Sequence, residues 1–303
     1  MLLRHLRYLS AVVEHGSFTR AAQALHVSQP ALSQQIRQLE EHLGVQLLDR
    51  SGKAVRATDA GATYLSHIHR AFREIDAASR AAQDVNDLSS GRLRLGFTPS
   101  FSGYLIAPLA RRFRQKYPGI TLDLIALSQD EIETDLADDN LDCAIAFWAS
   151  SVTGIVAQPL HTERLSLTAR DDHAVMATES IDVAAIEREE MALLSGSFAT
   201  RQSIDKHFKR HGIKPNVVIE TSSMTTLIEL VRSSSLVTVL PHAVAFERDD
   251  LGFRPLLRAI DERRVVLLQR EGGYRSAAAK AFVSTLDAFV QEIGAPSFHY
   301  LPI

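Results

Sequence analysis

The amino-acid sequence predicts an α/β protein made of an N-terminal winged helix-turn-helix, a long linker helix and a two-lobed α/β body. Three observations lead there: a doubly capped helix pair over residues 17–44, a narrow apolar seam at helical spacing over 65–85, and strand-like segments alternating with helix-like ones from residue 92 onward.

In SFTRAAQALHVSQPALSQQIRQLEEHLG, Ser17 is placed to cap a short helix carrying Ala21, Ala22 and Leu25, and His26-Val27 makes the turn. Ser28 then caps a second helix, with Pro30 tolerated in its first turn and Gly44 closing it. Leu32, Ile36, Leu39 and Leu43 recur at spacings of four, three and four, so they share one stripe. The other face offers Gln34, Arg37 and Gln38, with Ser33 at its margin, groups of the kind that pair with base edges in a major groove. Glu40 and Glu41 would be repelled by phosphates, so the N-terminal half of this helix is expected to meet DNA. An ordinary helical hairpin with a polar outer face fits the same pattern.

Residues 45–48 continue apolar, 49–53 read as a turn and 54–57 as a short return strand, which together make a wing. Arg50, Lys53 and Arg56 would then lie near the phosphate backbone, where cations supply affinity rather than sequence choice. Residues 1–58 hold seven basic against four acidic side chains, a net +3, which leaves −6 for the rest of a chain whose total is −3. A mildly basic head on an acidic body suits a protein that touches nucleic acid through its N-terminus.

Thr58 can cap a helix over 59–88, ended by Ser89-Ser90-Gly91. Leu65, Ile68, Phe72 and Ile75, with Ala82 and Val85 beyond, form a seam suited to a partner helix and hence to dimerisation, or else to packing against the protein's own body. From there the expected strands are 92–97, 120–127 and 143–147, with helices 106–117 and 130–138. A second set has strands 165–169, 191–194, 217–220 and 236–240, with helices 200–211 and 224–233; strand 265–269 and helix 276–293 close the chain. This order implies mainly parallel pairing and two similar lobes. The expected divisions are a head over 1–58, a linker over 59–89 and a body over 90–303, in which 90–162 with 265–303 forms one lobe and 163–264 the other. Ligands of such sheets lie beyond the carboxyl ends of strands, which directs attention to the inter-lobe cleft.

Other chemistry is not indicated. No apolar run reaches the roughly eighteen residues of a membrane span, and the first residues lack a signal peptide's apolar core, so a cytoplasmic chain without membrane contact is expected. Cys143 is the single cysteine, which excludes a disulfide within the chain, and LDCAIAF reads as a buried strand. His207 and His211 stand four apart on an expected helix without further ligands nearby; a solvated face explains them. Neither a Gly-x-Gly-x-x-Gly phosphate loop nor a Gly-x-Ser-x-Gly elbow is present, so no catalysis is expected. A soluble two-lobed binding protein would share the body without the DNA-binding head, and an enzyme on the same body would turn its ligand over.

The segment GSFTRAAQALHVSQPALSQQIRQLEEHLGVQLLDRSGKAVRATDAG resembles the DNA-binding head of LysR-type transcriptional regulators, and the remainder is similar to their effector domain. Within that family SQPALSQQIRQLE, TPSFSGYLIAPL, LLSGSFATRQSID and SAAAKAF resemble the branch that regulates cyanate-degradation operons. The resemblance implies a two-lobed periplasmic-binding-protein-like regulatory domain and a linker helix that pairs protomers. It also implies a dimer or dimer of dimers on double-stranded promoter DNA, acting with RNA polymerase as an activator, though the sequence leaves activation or repression open. It places recognition-helix contacts on Gln29, Pro30, Ser33, Gln34 and Arg37, with Ser28 and the wing residues at the DNA backbone. It places the effector cleft on Thr98, Ser100, Ser128, Phe147, Ser195, Thr200 and Arg201. No cofactor is implied, only a small anionic effector, cyanate by the closer likeness. Some relatives carry a polar or charged residue at the position of Phe147 to hold an aromatic acid, so Phe147 favours a smaller ligand; an organic acid is the alternative. Read without the resemblance, Thr98 and Ser100 could aim hydroxyls at an anion near a helix start, or simply serve as turn and capping residues. Arg201 adds a nearby cation that could equally be solvated.

Overall fold

In a computed structural model that describes residues 3–52, 54–83, 88–148 and 153–294, the chain divides into two compact units, Met1–Arg80 and Ala81–Ile303. The first unit opens with α1 (Leu3–His15), α2 (Phe18–Ala24) and α3 (Gln29–Leu43). The Ser17 hydroxyl accepts from Arg20 N and the Ser28 hydroxyl from Ala31 N, so both helices start where a side-chain oxygen satisfies an otherwise orphaned N–H. His26 takes a positive φ in the turn, and Gly44 ends α3 in the left-handed region at φ 67°. Leu32, Ile36 and Leu39 are fully buried against Leu6, Leu9, Val12 and Ala21, while Leu43 at the helix end is half-buried.

The wing is a two-residue ladder of β1 (Leu48–Asp49) and β2 (Arg56–Ala57). Thr58 ties it to the next helix: its N–H donates to Leu47 O, its hydroxyl donates to Gln46 O, and that hydroxyl accepts from Gly61 N. That helix, α4 (Asp59–Gln83), passes so close to the wing that a Cβ on Gly61 would sit 2.0 Å from the Leu47 carbonyl oxygen, an approach only glycine permits.

The apolar seam of α4 divides. Leu65 and Ile68, expected to face a second protomer, are buried in the head's own core, and Phe72 is half-buried there under the Arg7 guanidinium, 5.9 Å from its ring centre. Three short helices present too little apolar surface to close a core, and the first turns of α4 complete it. Ile75, further along the seam, is 38% exposed. The Ala82 side chain, Val85 and the expected helical stretch 84–87 lie outside the described residues.

The second unit begins with β3 (Gly91–Phe97), a 3-10 turn at Pro99–Phe101 and a π-helical turn at Ser102–Ile106 that runs into α5 (Ala107–Lys116). Then come β4 (Ile120–Ala126), α6 (Gln129–Ala137), β5 (Cys143–Phe147) and β6 (Ile155–Glu163). The chain crosses into the second lobe with β7 (Leu165–Arg170), α7 (Val183–Ile186), β8 (Glu190–Leu194), α8 (Ala199–His211), β9 (Asn216–Thr221), α9 (Met224–Ser233), β10 (Thr238–Pro241) and β11 (Leu251–Arg254). It returns along β12 (Arg263–Arg270) and ends in α10 (Ala277–Gly294).

The first lobe is a five-stranded sheet in the order β4-β3-β5-β12-β6, in which β3 runs parallel to β4 and β5 while β12 runs antiparallel to β5 and β6. In the second lobe β7 pairs antiparallel with β10 and β11, and β8 pairs parallel with β9. Pairing is therefore mixed rather than mainly parallel. The outgoing strand β6 and the returning strand β12 lie side by side, and adjacent strands leading to and from one lobe must oppose each other. One apolar core runs through both lobes, from Leu95, Phe113 and Phe282 to Leu194, Leu227 and Leu240. Cys143 is fully buried, and burial pushes its thiol pKa up, so it stays a neutral apolar filler. Among the described residues no helix is long and apolar enough to cross a membrane.

Candidate functional site

Two surfaces hold the residues that the sequence singles out. On the head, Ser28, Gln29, Pro30, Gln34, Arg37 and Gln38 are exposed along α3. Ser33 is not among them: it is 7% exposed, and its hydroxyl accepts from Arg37 Nη2 at 3.3 Å. One turn before Arg37 and on the inner margin, it steadies the guanidinium instead of offering its own hydroxyl to a base. Arg50 is also committed within the protein. Its guanidinium donates to Glu40 Oε2 at 2.8 Å and lies 5.1 Å from the Phe18 ring centre. Glu40 Oε1 accepts from Leu47 N at 2.9 Å and Leu48 N at 3.1 Å, so one carboxylate of α3 gathers two wing amides and the wing arginine. By sequence alone Glu40 is no more than a charge repelled by DNA. Arg56 is exposed; Lys53 lies outside the described residues.

In the body, topology brings the carboxyl ends of β3, β5 and β6 and the start of β12 to one end of the first lobe's sheet. Thr98 follows β3, its N–H donating to Ile145 O of β5, and Ser100 sits in the 3-10 turn beyond. They are 5% and 3% exposed, and neither hydroxyl has a partner among the described residues. Phe147 ends β5 with its ring centre 4.8 Å from that of Phe101, and the Arg263 guanidinium lies 4.0 Å above the Phe147 ring.

Arg263 opens β12 directly opposite Glu163, the last residue of β6, and the two form a buried ion pair. The Tyr104 hydroxyl donates to the other Glu163 oxygen; burial first, and then the Glu163 charge, hold its pKa well above the usual phenol range, so it remains a donor. Arg263 Nη1 donates to the Thr200 hydroxyl at 3.1 Å, whereas its buried Nε–H has no acceptor among the described residues. Sequence reasoning finds none of Tyr104, Glu163 and Arg263. Pro159 in β6 reads as a strand breaker, yet β6 is an edge strand, where proline is tolerated.

The other expected cleft residues have these surroundings. Ser128 caps α6 in a reciprocal capping box: its hydroxyl meets Glu131 N and donates to Glu131 Oε2, and it is exposed beyond the sheet's outer strand. Arg201 is satisfied inside the second lobe by Leu194 O at 2.6 Å, Asp205 at 2.8 Å and Glu220 at 2.9 Å, so it is not an uncommitted counter-charge. Ser195 is half-buried after β8, its hydroxyl 3.3 Å from that of Ser197. Thr200 is buried in the first turn of α8. His207 is buried rather than solvated, its ring 4.6 Å from that of His211; burial and then the neighbouring His211 and Arg210 lower its pKa. Among the described residues no group of three side chains is arranged to hold a metal.

A winged helix-turn-helix joined in one chain to a two-lobed α/β domain, with unsatisfied donors at the lobe boundary, defines a ligand-responsive DNA-binding regulator. Residues 3–62 match the bacterial regulatory helix-turn-helix protein, lysR family, and residues 86–291 match the LysR substrate binding domain: the chain belongs to the LysR family. It is 34% identical over 246 residues to the nitrogen assimilation regulatory protein nac of Escherichia coli K12, covering 81% of this chain and 80% of that one. It is 29% identical over 276 residues to the DNA-binding transcriptional dual regulator OxyR of the same strain, covering 90% of each. Full-length OxyR from Pseudomonas aeruginosa, in a cysteine-to-aspartate variant, shares the fold with a TM-score of 0.67 at 24% identity, over 94% of each chain. Full-length CbnR complexed with its target DNA does so at 0.55 and 23% identity, over 96% of this chain and 100% of that one. The protein is thus a DNA-binding transcriptional regulator with an effector-binding domain, and not an enzyme. These relatives carry the family; none of them is a cyanate-operon regulator.

Proposed function

We propose that this regulator senses a small anion between its lobes, with cyanate the leading candidate, and thereby controls a promoter that it binds as a dimer or dimer of dimers in the cytoplasm, acting on RNA polymerase. The observation that carries the reading is the pair of buried hydroxyls on Thr98 and Ser100, neither with a partner among the described residues. A buried polar group left unsatisfied costs about 1–3 kcal/mol, so two such hydroxyls at one sheet end suit a compact ligand that accepts hydrogen bonds. Phe101 and Phe147 close the adjoining space in mutual contact, which opposes a bulky aromatic acid. A response through paired thiols has no basis within a chain that holds Cys143 alone.

The test is calorimetric titration of the wild type and Ser100→Ala with cyanate, azide, bicarbonate and benzoate. Small-anion binding that weakens in Ser100→Ala supports the site. Tight benzoate binding without response to the small anions rejects the ligand class, and anion binding indifferent to the substitution rejects the location. On DNA, Gln34 and Arg37 are proposed to read bases while Arg56 supplies affinity. Gln34→Ala or Arg37→Ala should lose about 1–3 kcal/mol at the preferred sequence, whereas Arg56→Ala should weaken all sequences alike and flatten the salt dependence by about one unit. Unchanged discrimination in both α3 variants would refute this assignment.

A further inference from the structure

We propose that Arg263 is the residue that recognises the effector's charge, and that its bond to Thr200 is a latch between the lobes which the effector opens. This rests on the small-anion reading above.

The chain passes between lobes along β6 and β12, and Glu163 and Arg263 face each other in register where those strands meet the boundary. Arg263 is held to the first lobe by Glu163, which Tyr104 in turn fixes through its hydroxyl. Its reach into the second lobe is the bond from Nη1 to Thr200, in the first turn of α8. The same guanidinium has a buried Nε–H without an acceptor among the described residues. The other cation expected at the cleft, Arg201, is already neutralised by Asp205 and Glu220.

Thr98 and Arg263 stand at the same sheet end on strands separated only by β5, roughly 10 Å apart across the sheet, and in register Arg263 lies three residues beyond Thr98, so their backbones are roughly 14 Å apart by ordinary strand geometry. The Arg263 guanidinium reaches back over the Phe147 ring at the end of β5, and a linear triatomic ion bridges the remainder. An anion seated on the Thr98 and Ser100 hydroxyls accepts from the Arg263 Nε–H and draws the guanidinium from Thr200. No bond to the first lobe is lost, because Glu163 keeps Nη2. The second lobe loses its tie to the hinge, which is the differential interaction that a ligand needs in order to shift a conformational equilibrium.

This assigns opposite signs to two neighbouring hydroxyls. Ser100 holds the ligand, so Ser100→Ala weakens binding; Thr200 competes with the ligand for Arg263, so Thr200→Val tightens it. With potassium cyanate, and sodium azide as an unreactive ion of the same shape, calorimetry on the full-length protein should find Thr200→Val about 2- to 10-fold tighter than wild type, the span of one net hydrogen bond. Ser100→Ala should be weaker by a similar factor. Arg263→Lys keeps a charge opposite Glu163 and so preserves the fold, but it lacks the Nε–H and should lose about tenfold or more in affinity. Hydrogen exchange supplies a second readout: amides at the start of α8 should exchange in ligand-free Thr200→Val as they do in cyanate-bound wild type. Thr200→Val that binds more weakly makes Thr200 a ligand contact and overturns the latch. Unchanged affinity together with wild-type exchange overturns it too, while leaving the anion site standing if Ser100→Ala still weakens binding. Failure of both ions to bind the wild type rejects the anion reading itself.

Discussion

Replacing Ile68 with aspartate should unfold the DNA-binding head rather than merely dissociate a dimer. Ile68 is 4% exposed and packs in the cluster that holds Leu9, Leu32, Ile36 and Leu65. Burying such a side chain is worth about 1.5–3 kcal/mol, and an unpaired carboxylate in its place adds several kcal/mol more. A head of about eighty residues holds roughly 4–12 kcal/mol in all at ordinary stability per residue. The substitution removes most or all of it. Ile75→Asp makes the contrast: at an exposed position of the same helix it should change head stability by about 0.5 kcal/mol or less while disturbing helix pairing. Scanning calorimetry and sedimentation of both full-length variants separate the two effects. Ile68→Asp should lose the head's melting transition and all DNA binding, whereas Ile75→Asp should keep the transition and shift mass toward monomer. If Ile68→Asp melts like wild type and sediments as a monomer, Leu65 and Ile68 serve the dimer and the assignment to the head's core is wrong.

Gly61→Ala should lower the head's melting temperature, because its Cβ would meet the Leu47 carbonyl at 2.0 Å and the backbone must move; overpacking of this kind costs about 1–3 kcal/mol, and an unchanged melt would show that α4 can shift freely. Burial lowers the His161 pKa to about 4 against 6.5 for the free side chain, so between those values the unfolded chain binds the extra proton and stability falls as pH drops through that window. The loss should level off below about pH 4 and total about 3 kcal/mol; denaturant melts of wild type and His161→Phe across pH 4–7 should differ in slope, and parallel curves would remove His161 as the cause. Cys143 should resist maleimide and peroxide in the folded protein and react only as the body unfolds, so rapid labelling under native conditions would contradict its burial.

The head is readable residue by residue because its determinants are local: a cap, a turn and a periodic stripe lie within thirty positions of one another. Some local signals are present yet outweighed. Ser128 and Glu131 spell the capping-box spacing, and Arg201 and Asp205 stand one helical turn apart, so the partners of both cleft candidates within the protein are written in the sequence. Glu163 and Arg263 lie a hundred positions apart and meet through the pairing of two crossing strands, one of them disguised by Pro159. No spacing rule reaches such a pair. Nor can periodicity decide which side of α4 its seam serves, because a core and a partner helix ask for the same apolar stripe. Thr98 and Ser100 are legible as strand-end hydroxyls; that they are buried, with no partner among the described residues, is a property of the packed body.

The opposed charges at the lobe crossing also bear on how such a regulator can change over generations. Removing either Glu163 or Arg263 alone strands the other in the interior at a cost of about 3–5 kcal/mol, whereas exchanging both for apolar side chains of similar volume costs little. On the effector site proposed above, a lineage acquiring a new signal molecule can therefore alter Thr98 or Ser100 one codon at a time. At the lobe crossing, single steps descend into a fitness valley, and only a paired exchange crosses it.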